Sequence, residues 1–224
     1  MTKVKICGIT RYEDALAAAS AGADMLGLNF YKKSPRYISP EDAAALAARL
    51  RSEMGAHMPL LVGLFVNEIV GRISITMEQV GFAAVQLSGD ESVELLRELH
   101  GTAFKAIRPR SATEALEDLT YFAPGAPKNE RLPSILVDAY HPTLYGGSGQ
   151  QMNMEAALAL KPVTPRLMLA GGLTPDNVGE IVQAVRPWAV DVASGVELPD
   201  QPGKKDAGKI RAFVEAAKMV SWVE

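Results

Sequence analysis

An eightfold alternation of short apolar runs with longer amphipathic segments constrains the fold of this chain more than any other feature of its sequence. Each apolar run leads into a polar or glycine-containing segment, as expected of strands that are covered on both faces. The predicted strands are Val4–Cys7, Met25–Phe30, Leu61–Val66, Ala84–Leu87, Phe104–Ile107, Ile135–Asp138, Leu167–Ala170 and Ala189–Ala193. The predicted helices are Tyr12–Ser20, Pro40–Met54, Ile69–Val80, Ser92–Leu99, Ala112–Thr120, Met154–Leu160, Pro175–Val185 and Ala207–Met219.

Eight strand–helix units in 224 residues predict a (β/α)8 barrel, or TIM barrel, a fold whose size range begins at about 200 residues. The rival fold is a doubly wound open sheet, but no G-x-G-x-x-G fingerprint follows the first strand. The eight units use the whole chain, so we expect a single domain over residues 1–224. Tyr121–Pro133 is rich in Pro, Gly, Lys and Asn and is predicted to be a surface loop.

Three segments carry start signals for helices. Thr10 stands three residues before Glu13, which is the spacing of a capping box. Ser39 and Thr174 are each followed by a proline and then an acidic residue. This order places a hydroxyl at the cap, a proline in the first turn and a negative charge at the positive end of the helix dipole.

Composition excludes several classes of protein. The 23 basic and 26 acidic residues give a net charge of −3, so we expect no basic face for nucleic acid or acidic lipid. No apolar stretch approaches the roughly 20 residues that span a bilayer, and the N-terminus lacks the layout of a signal peptide. One cysteine cannot form an internal disulfide, and three scattered histidines give no zinc-ligand spacing. We therefore expect a cytoplasmic protein without a structural metal.

Glycine-rich segments follow the last three predicted strands. Active sites of (β/α)8 barrels lie at the carboxyl ends of the strands, and these barrels commonly bind phosphate after strands seven and eight. Glycine lets backbone N–H groups approach an anion closely, although a glycine after a strand often makes only a tight turn. The candidate phosphate-binding residues are Gly147, Ser148, Gly149, Gly171, Gly172, Ser194 and Gly195.

Two predicted strands end in a residue with acid–base chemistry. Cys7 closes the first strand, where it is either a buried inert residue or a thiol that faces the mouth of the barrel. Asp138 closes the sixth strand, where it either caps a loop or acts as an acid whose pKa is raised by burial. Arg36 follows the second strand, either as a solvated loop residue or as a clamp for a substrate carboxylate.

Two lysines lie inside predicted strands. Lys5 shares a strand face with Cys7, and barrel closure brings it beside Asp191 of the eighth strand. An interior ion pair is the simpler interpretation of Lys5 and Asp191, and a Schiff-base lysine, for which Lys105 is a second candidate, is the alternative.

The sequence resembles the phosphoribosylanthranilate isomerase family over nearly its whole length. The motifs that carry the resemblance are Lys5-Ile6-Cys7-Gly8-Ile9-Thr10, Ser34-Pro35-Arg36-Tyr37, Gly63-Leu64-Phe65-Val66-Asn67, Val85-Gln86-Leu87, Asp138 with Gly146-Gly147-Ser148-Gly149, Ala170-Gly171-Gly172-Leu173-Thr174-Pro175 with Asn177-Val178, Asp191-Val192, Ser194-Gly195-Val196-Glu197 and Pro202-Gly203-Lys204-Lys205-Asp206. Ser88 and Ala193 replace a histidine and a serine that are common in the family, and Asn29 stands where an apolar or small residue is usual.

The resemblance implies an Amadori rearrangement of a phosphorylated aminoaldose in tryptophan biosynthesis, without metal or coenzyme. Asp138 then fits the acid and Cys7, as a thiolate, the base. Arg36 fits the contact to the anthranilate carboxylate, Asp191 a further substrate contact, and the glycine loops the phosphate site. The resemblance leaves the chain a monomer or a homodimer. The alternatives are another phosphosugar barrel, such as a histidine-pathway-type isomerase or a Schiff-base aldolase, and a barrel that binds a phosphorylated ligand without converting it.

Overall fold

The computed structural model describes residues 1–140 and 152–219. Within them, the strands are β1 (Lys3–Cys7), β2 (Met25–Asn29), β3 (Leu60–Phe65), β4 (Ala84–Leu87), β5 (Ala103–Ile107), β6 (Ile135–Val137), β7 (Leu167–Leu169) and β8 (Ala189–Val192). The α-helices are α1 (Tyr12–Ser20), α2 (Pro40–Met54), α3 (Val70–Val80), α4 (Val93–Glu98), α5 (Ala112–Phe122), α6 (Met154–Leu160), α7 (Val178–Val185) and α8 (Ala207–Met219). Short 3-10 helices cover Gly55–His57, Ala123–Gly125, Lys161–Val163 and Ser194–Val196.

The strands form a closed barrel in which every strand pairs in parallel with its neighbours in chain order. β1 closes the barrel against β8, and Lys5 is the register partner of Asp191. Alternating helices cover the outside of this barrel. The structure therefore confirms the predicted (β/α)8 barrel and excludes the open sheet.

The inside of the barrel changes from apolar to polar toward the carboxyl ends of the strands. Its lower part is filled by one apolar cluster, made of Met25, Val62, Ala84, Phe104, Ala106, Leu132, Leu136, Met168, Ala170 and Ala189. Above this cluster, Lys5, Gln86 and Asp191 are buried polar residues. The apolar part gives the barrel its packed core, and the polar part forms the mouth, which is the end of the barrel where this fold places active sites.

The signal for the start of α2 is confirmed, whereas the signal for α1 is wrong. The Ser39 hydroxyl accepts a hydrogen bond from the backbone N–H of Asp42 at 3.0 Å. Arg11, not Thr10, occupies the residue before α1 and makes no side-chain cap. The Thr10 hydroxyl instead donates to the carbonyl oxygen of Gly203 at 2.6 Å, so it joins the loop after β1 to the segment before α8.

The third start signal is also wrong, because α7 begins at Val178 rather than Pro175. The Asn177 side chain accepts from the Thr174 N–H at 2.8 Å and donates to the Gly172 carbonyl at 2.9 Å. Asparagine side chains compete in this way with the helical backbone for hydrogen bonds. The extra turn holds the loop after β7 in place.

The predicted surface loop is shorter than expected. α5 continues through Tyr121 to Phe122, and a 3-10 turn follows over Ala123–Gly125, so the irregular segment begins only at Ala126. The two aromatic rings contact each other edge to face, with their centroids 4.8 Å apart. The helix continues two residues beyond its predicted end at Thr120.

Among the described helices, none combines the length and the apolar character that crossing a membrane requires.

We predict that Ser39→Ala lowers the free energy of unfolding by about 1 kcal/mol, since the variant loses the hydrogen bond that caps α2. Urea denaturation measures the change. Ser92→Ala is the matched control, because Ser92 also precedes a helix but its hydroxyl makes no cap hydrogen bond. Equal losses in the two variants would contradict the capping role of Ser39.

Candidate active site

A cavity at the mouth of the barrel collects most of the predicted site residues. Its wall includes Cys7, Arg36, Asp138, Gly171, Gly172, Asp191 and Ser194. Gly195 does not line this wall, because its backbone packs against the loop after β7, where a Cβ would lie 1.9 Å from the Leu173 carbonyl oxygen. Gly147, Ser148 and Gly149 lie outside the described residues.

Cys7 ends β1 and keeps only 6% of its surface exposed. Burial raises the pKa of the thiol above its ordinary value, while the charges of Lys5 and Lys205 act in the opposite direction. Gly8 follows with a positive φ of 72°, and a Cβ there would lie 2.6 Å from Cδ of Arg36. The glycine therefore lets the chain turn out of β1 with the thiol and the guanidinium on the same cavity wall.

Lys5 and Asp191 form an ion pair inside the barrel, with Nζ 2.9 Å from Oδ1. Lys5 is fully buried and Asp191 is 7% exposed. Burial alone would lower the pKa of Lys5, but the Asp191 carboxylate and the Cys7 sulfur raise it above its ordinary value. The predicted interior ion pair is confirmed, and Lys5 is held as a cation rather than as the neutral amine that forms a Schiff base.

Asp138 lies one residue beyond the end of β6, with part of its surface open to the cavity. Its Oδ1 accepts a hydrogen bond from the Ala139 N–H at 2.8 Å. Removal of water by the surrounding protein raises the pKa of this carboxyl to about 6, against the effect of that hydrogen bond. A carboxyl with such a pKa exchanges its proton near neutral pH, as a general acid must.

Arg36 reaches the cavity as part of a buried charge cluster. Its Nε and Nη2 each donate to Glu197 at 2.8 Å, in a bidentate pair. Lys205 donates to the same carboxylate at 3.0 Å, and so does the Gly203 N–H at 2.9 Å. Nη1 of Arg36 makes no hydrogen bond to the described residues. Two cations thus share one carboxylate, and the cluster carries an excess positive charge at the mouth.

Burial alone would raise the pKa of Glu197, but the hydrogen bond from Arg36 and the charge of Lys205 hold it below its ordinary value. Glu197 and Lys205 entered the sequence analysis only as parts of motifs, and neither was assigned to the site. The available signal for a place in the site was that Glu197 lies shortly after β8 and Lys205 shortly before α8. The partner of Glu197 is Arg36, 161 residues away, which no local pattern indicates.

The loop after β7 has the backbone shape that a glycine pair allows. Gly171 and Gly172 have φ values of 91° and 67°. A Cβ on Gly171 would lie 2.5 Å from the backbone N of Ala139, so no larger residue fits beside the loop after β6. Both glycines also line the cavity.

Gln86 and Ser88 are cavity residues that the sequence analysis did not assign to the site. Gln86 Nε2 donates to Ser88 Oγ at 3.1 Å, while Gln86 Oε1 is buried without a partner among the described residues. The alternation of strand side chains was the signal that they share a face.

The second Schiff-base candidate, Lys105, is not in the cavity. It points away from the barrel interior and donates to Glu91 at 2.9 Å and to the Gly89 carbonyl at 2.6 Å. His57 and His100 are exposed, and His141 lies outside the described residues. Among the described residues, no group of three or more metal-ligating side chains is arranged to hold an ion.

We predict that Asp138→Asn stabilises the chain at pH 8 and not at pH 4. Between the ordinary value of 3.8 and about 6, the folded carboxyl holds a proton that the unfolded chain has released. Stability therefore falls as the pH rises through this window, by up to about 3 kcal/mol for some two pKa units. Asparagine removes the ionisation and hence this loss.

Thermal unfolding of both proteins from pH 4 to pH 8 measures the difference. Asp191→Asn is the matched control, because it breaks the ion pair with Lys5 and is expected to destabilise the chain. An Asp138→Asn effect that does not change with pH would contradict the raised pKa of Asp138.

Comparison with known proteins identifies the family of this chain. The family model for N-(5'-phosphoribosyl)anthranilate (PRA) isomerase matches residues 4–216. A relative named N-(5'-phosphoribosyl)anthranilate isomerase from Trichlorobacter lovleyi is 46% identical over 218 residues, which cover 97% of this chain and 98% of the relative. A relative of the same name from Myxococcus xanthus is 42% identical over 219 residues, covering 98% and 97%.

Solved structures of the same enzyme share the fold. The phosphoribosyl anthranilate isomerase of Thermotoga maritima is 38% identical with a TM-score of 0.83, and the match covers 98% of this chain and 100% of that one. The Thermus thermophilus enzyme is 35% identical with a TM-score of 0.80, covering 96% and 98%. Since the family model and the relatives match the chain almost from end to end, the chain belongs to the N-(5'-phosphoribosyl)anthranilate isomerase family, the isomerases of tryptophan biosynthesis.

Proposed function

We propose that the mouth of the barrel performs the family's aldose–ketose isomerisation with Asp138 as the general acid and Cys7 as the general base. One observation carries the proposal: a carboxyl whose pKa is raised to about 6 shares a cavity with the chain's only thiol. Acid–base catalysis works best when the pKa of the catalytic group lies near the working pH.

The reaction converts N-(5-phospho-β-D-ribosyl)anthranilate into 1-(2-carboxyphenylamino)-1-deoxy-D-ribulose 5-phosphate. Asp138 protonates the oxygen of the furanose ring, and the bond from C1 to that oxygen breaks to give a Schiff base. Cys7, as a thiolate, then takes the proton from C2, and the resulting enolamine tautomerises to the ketone. The nitrogen of the substrate accepts the electrons, so this route uses neither a metal nor a coenzyme.

The two anionic ends of the substrate have separate binding groups in this proposal. The phosphate is bound by the loops after β6, β7 and β8, through Gly147, Ser148, Gly149, Gly171, Gly172 and Ser194. Gly195 contributes by letting the last of these loops pack against Leu173 behind the cavity wall. The anthranilate carboxylate is bound by Arg36, whose Nη1 makes no hydrogen bond to the described residues. Asp191 contacts the substrate from the cavity wall that it shares with these groups.

Two observations support these assignments. A solved phosphoribosyl anthranilate isomerase, 37% identical with a TM-score of 0.80, is in complex with reduced 1-(o-carboxyphenylamino)-1-deoxyribulose 5-phosphate. In this chain, the excess positive charge of Arg36, Lys205 and Glu197 also complements a ligand with a carboxylate and a phosphate.

We also infer a cytoplasmic location, with a small phosphorylated molecule as the partner and neither nucleic acid nor membrane. The net charge of −3 supports the absence of nucleic-acid and membrane binding, since both of those polyanionic surfaces repel it. A monomer and a homodimer are both consistent with the chain. The phosphoribosylanthranilate isomerase of Thermotoga maritima is described as dimeric.

We expect Cys7→Ala and Asp138→Asn each to lower kcat by about 10²-fold or more, the range in which removal of a general acid or base falls. Steady-state assays that follow the loss of substrate fluorescence measure the effect. Both variants are expected still to gain thermal stability from added product. Turnover near that of the unmodified chain in either variant would remove that residue from its proposed role.

Arg36→Ala is expected to raise KM by roughly 10-fold to 100-fold, because a charge-assisted hydrogen bond contributes about 1.5–3 kcal/mol to binding. The same assay gives KM and kcat separately. Arg11→Ala is the matched control, since Arg11 pairs with Asp14 and does not line the cavity. An unchanged KM in Arg36→Ala would argue against the carboxylate contact.

A further inference from the structure

Lys5 is a buried cation to which the proposed reaction gives no task. It lies inside the barrel on β1 without any solvent exposure, and Nζ donates to Asp191 Oδ1 at 2.9 Å. A lysine ammonium has three protons to donate, so this bond does not exhaust its capacity. The ammonium also interacts electrostatically with the Cys7 sulfur.

Gly27 keeps open the space in which the ammonium and the sulfur meet. It is the register partner of Cys7 on the neighbouring strand. A Cβ on Gly27 would lie 2.7 Å from Cys7 Sγ and 3.1 Å from Lys5 Nζ, both shorter than ordinary contacts. Cys7, Lys5 and Asp191 therefore form a continuous row across β1 and β8, and the missing side chain on β2 leaves room for it.

A thiolate at the end of β1 requires a nearby positive charge. Cys7 is 6% exposed, and an anion so far from water is costly unless a cation or hydrogen-bond donors compensate it. Lys5 supplies the charge from below the sulfur. Asp191 draws on the same charge, because its carboxylate accepts from the same ammonium.

We propose that Lys5 is a positioning residue that stabilises Cys7 as a thiolate at the mouth of the barrel, and that Asp191 limits this effect by sharing the ammonium. The inference explains how Cys7 can be ionised as the general base, and in that respect it rests on the proposed function. The ionisation of the sulfur itself is measurable without any turnover.

Other charged groups also surround Cys7. Lys205, from the segment before α8, lowers the pKa of the thiol, but its ammonium is engaged by Glu197 at 3.0 Å and by the Ala193 carbonyl at 2.9 Å. Asp138, from the residue just after β6, interacts electrostatically with Lys5 and Asp191. Lys5 differs from these groups because it shares the face of β1 with the sulfur.

The single cysteine makes the test direct, because only one thiol in the chain reacts. The rate of alkylation by iodoacetamide is followed by mass spectrometry from pH 6 to pH 10 in the free enzyme. Lys5→Met is expected to slow the reaction about 10-fold or more at pH 7.5, since one pKa unit changes the thiolate fraction tenfold. Asp191→Asn is expected to accelerate it, because the whole ammonium charge then acts on the sulfur.

Lys5→Met strands the Asp191 carboxylate and can unfold the chain, so the double variant Lys5→Met/Asp191→Asn is measured as well. It lacks both charges, and its alkylation is expected to be at least about 10-fold slower than that of Asp191→Asn. Lys205→Met is the matched control and is expected to have a smaller effect. Circular dichroism verifies the fold of each variant.

Two results would overturn the inference. One is an alkylation profile of Asp191→Asn that coincides with that of the double variant. The other is a larger fall in the alkylation rate in Lys205→Met than in Lys5→Met. Failure of the proposed function is recognised separately. A Cys7→Ala variant with full turnover removes the base from the reaction, yet leaves the alkylation profiles and the conclusion about Lys5 unchanged.

Discussion

The parallel hydrogen bonds that close β1 against β8 are the constraint on which the mouth of the barrel depends. They bring Lys5 beside Asp191, although the two residues are 186 positions apart in the chain. An isolated charge in this interior would be strongly destabilising, whereas a hydrogen-bonded pair is tolerated. The closure of the barrel and the charge balance of its interior therefore require each other. The orientation of Cys7 follows from both, since it is the next inward position along β1.

The mouth is built for charge rather than for packing. The Lys5–Asp191 pair is balanced, while Arg36, Lys205 and Glu197 leave one positive charge in excess. Buried ion pairs of this kind add little net stability, and the raised pKa of Asp138 lowers stability above about pH 6. The apolar cluster below them carries the packing that keeps the barrel folded. This division between a stabilising floor and a functional mouth is general for the fold.

The fold was predictable from the sequence because strands covered on both faces form short apolar runs, and turns separate them visibly. Cys7, Asp138 and Asp191 were predictable as cavity residues for the same reason, since each lies at or near the carboxyl end of a strand. The start of α2 was predictable because the Ser39 hydroxyl caps the helix through a local hydrogen bond, which it accepts from the N–H of Asp42, three residues along the chain.

What could not be predicted depends on contacts between distant segments. Thr10 has the spacing of a helix cap, but its hydroxyl donates a hydrogen bond to the Gly203 carbonyl, 193 residues away. Arg36 was predicted to be either a solvated loop residue or a clamp for a substrate carboxylate, yet two of its nitrogens donate hydrogen bonds to Glu197. Lys105 is indistinguishable from Lys5 by residue type. Their positions in the alternation of side chains along the strands decide that Lys5 faces the barrel interior, whereas Lys105, between the inward-facing Phe104 and Ala106, faces the surrounding helices.

Glu197 has one more consequence for this protein. Its carboxylate holds Arg36, while its own chain segment continues directly from the Ser194–Val196 turn. Arg36 and the turn that follows β8 are thus linked through a single carboxylate, and Arg36 and Ser194 line the same cavity. Loss of that carboxylate would leave Arg36 and Lys205 without their shared counter-charge. The position of the guanidinium and the charge balance of the cavity wall therefore depend on the same residue.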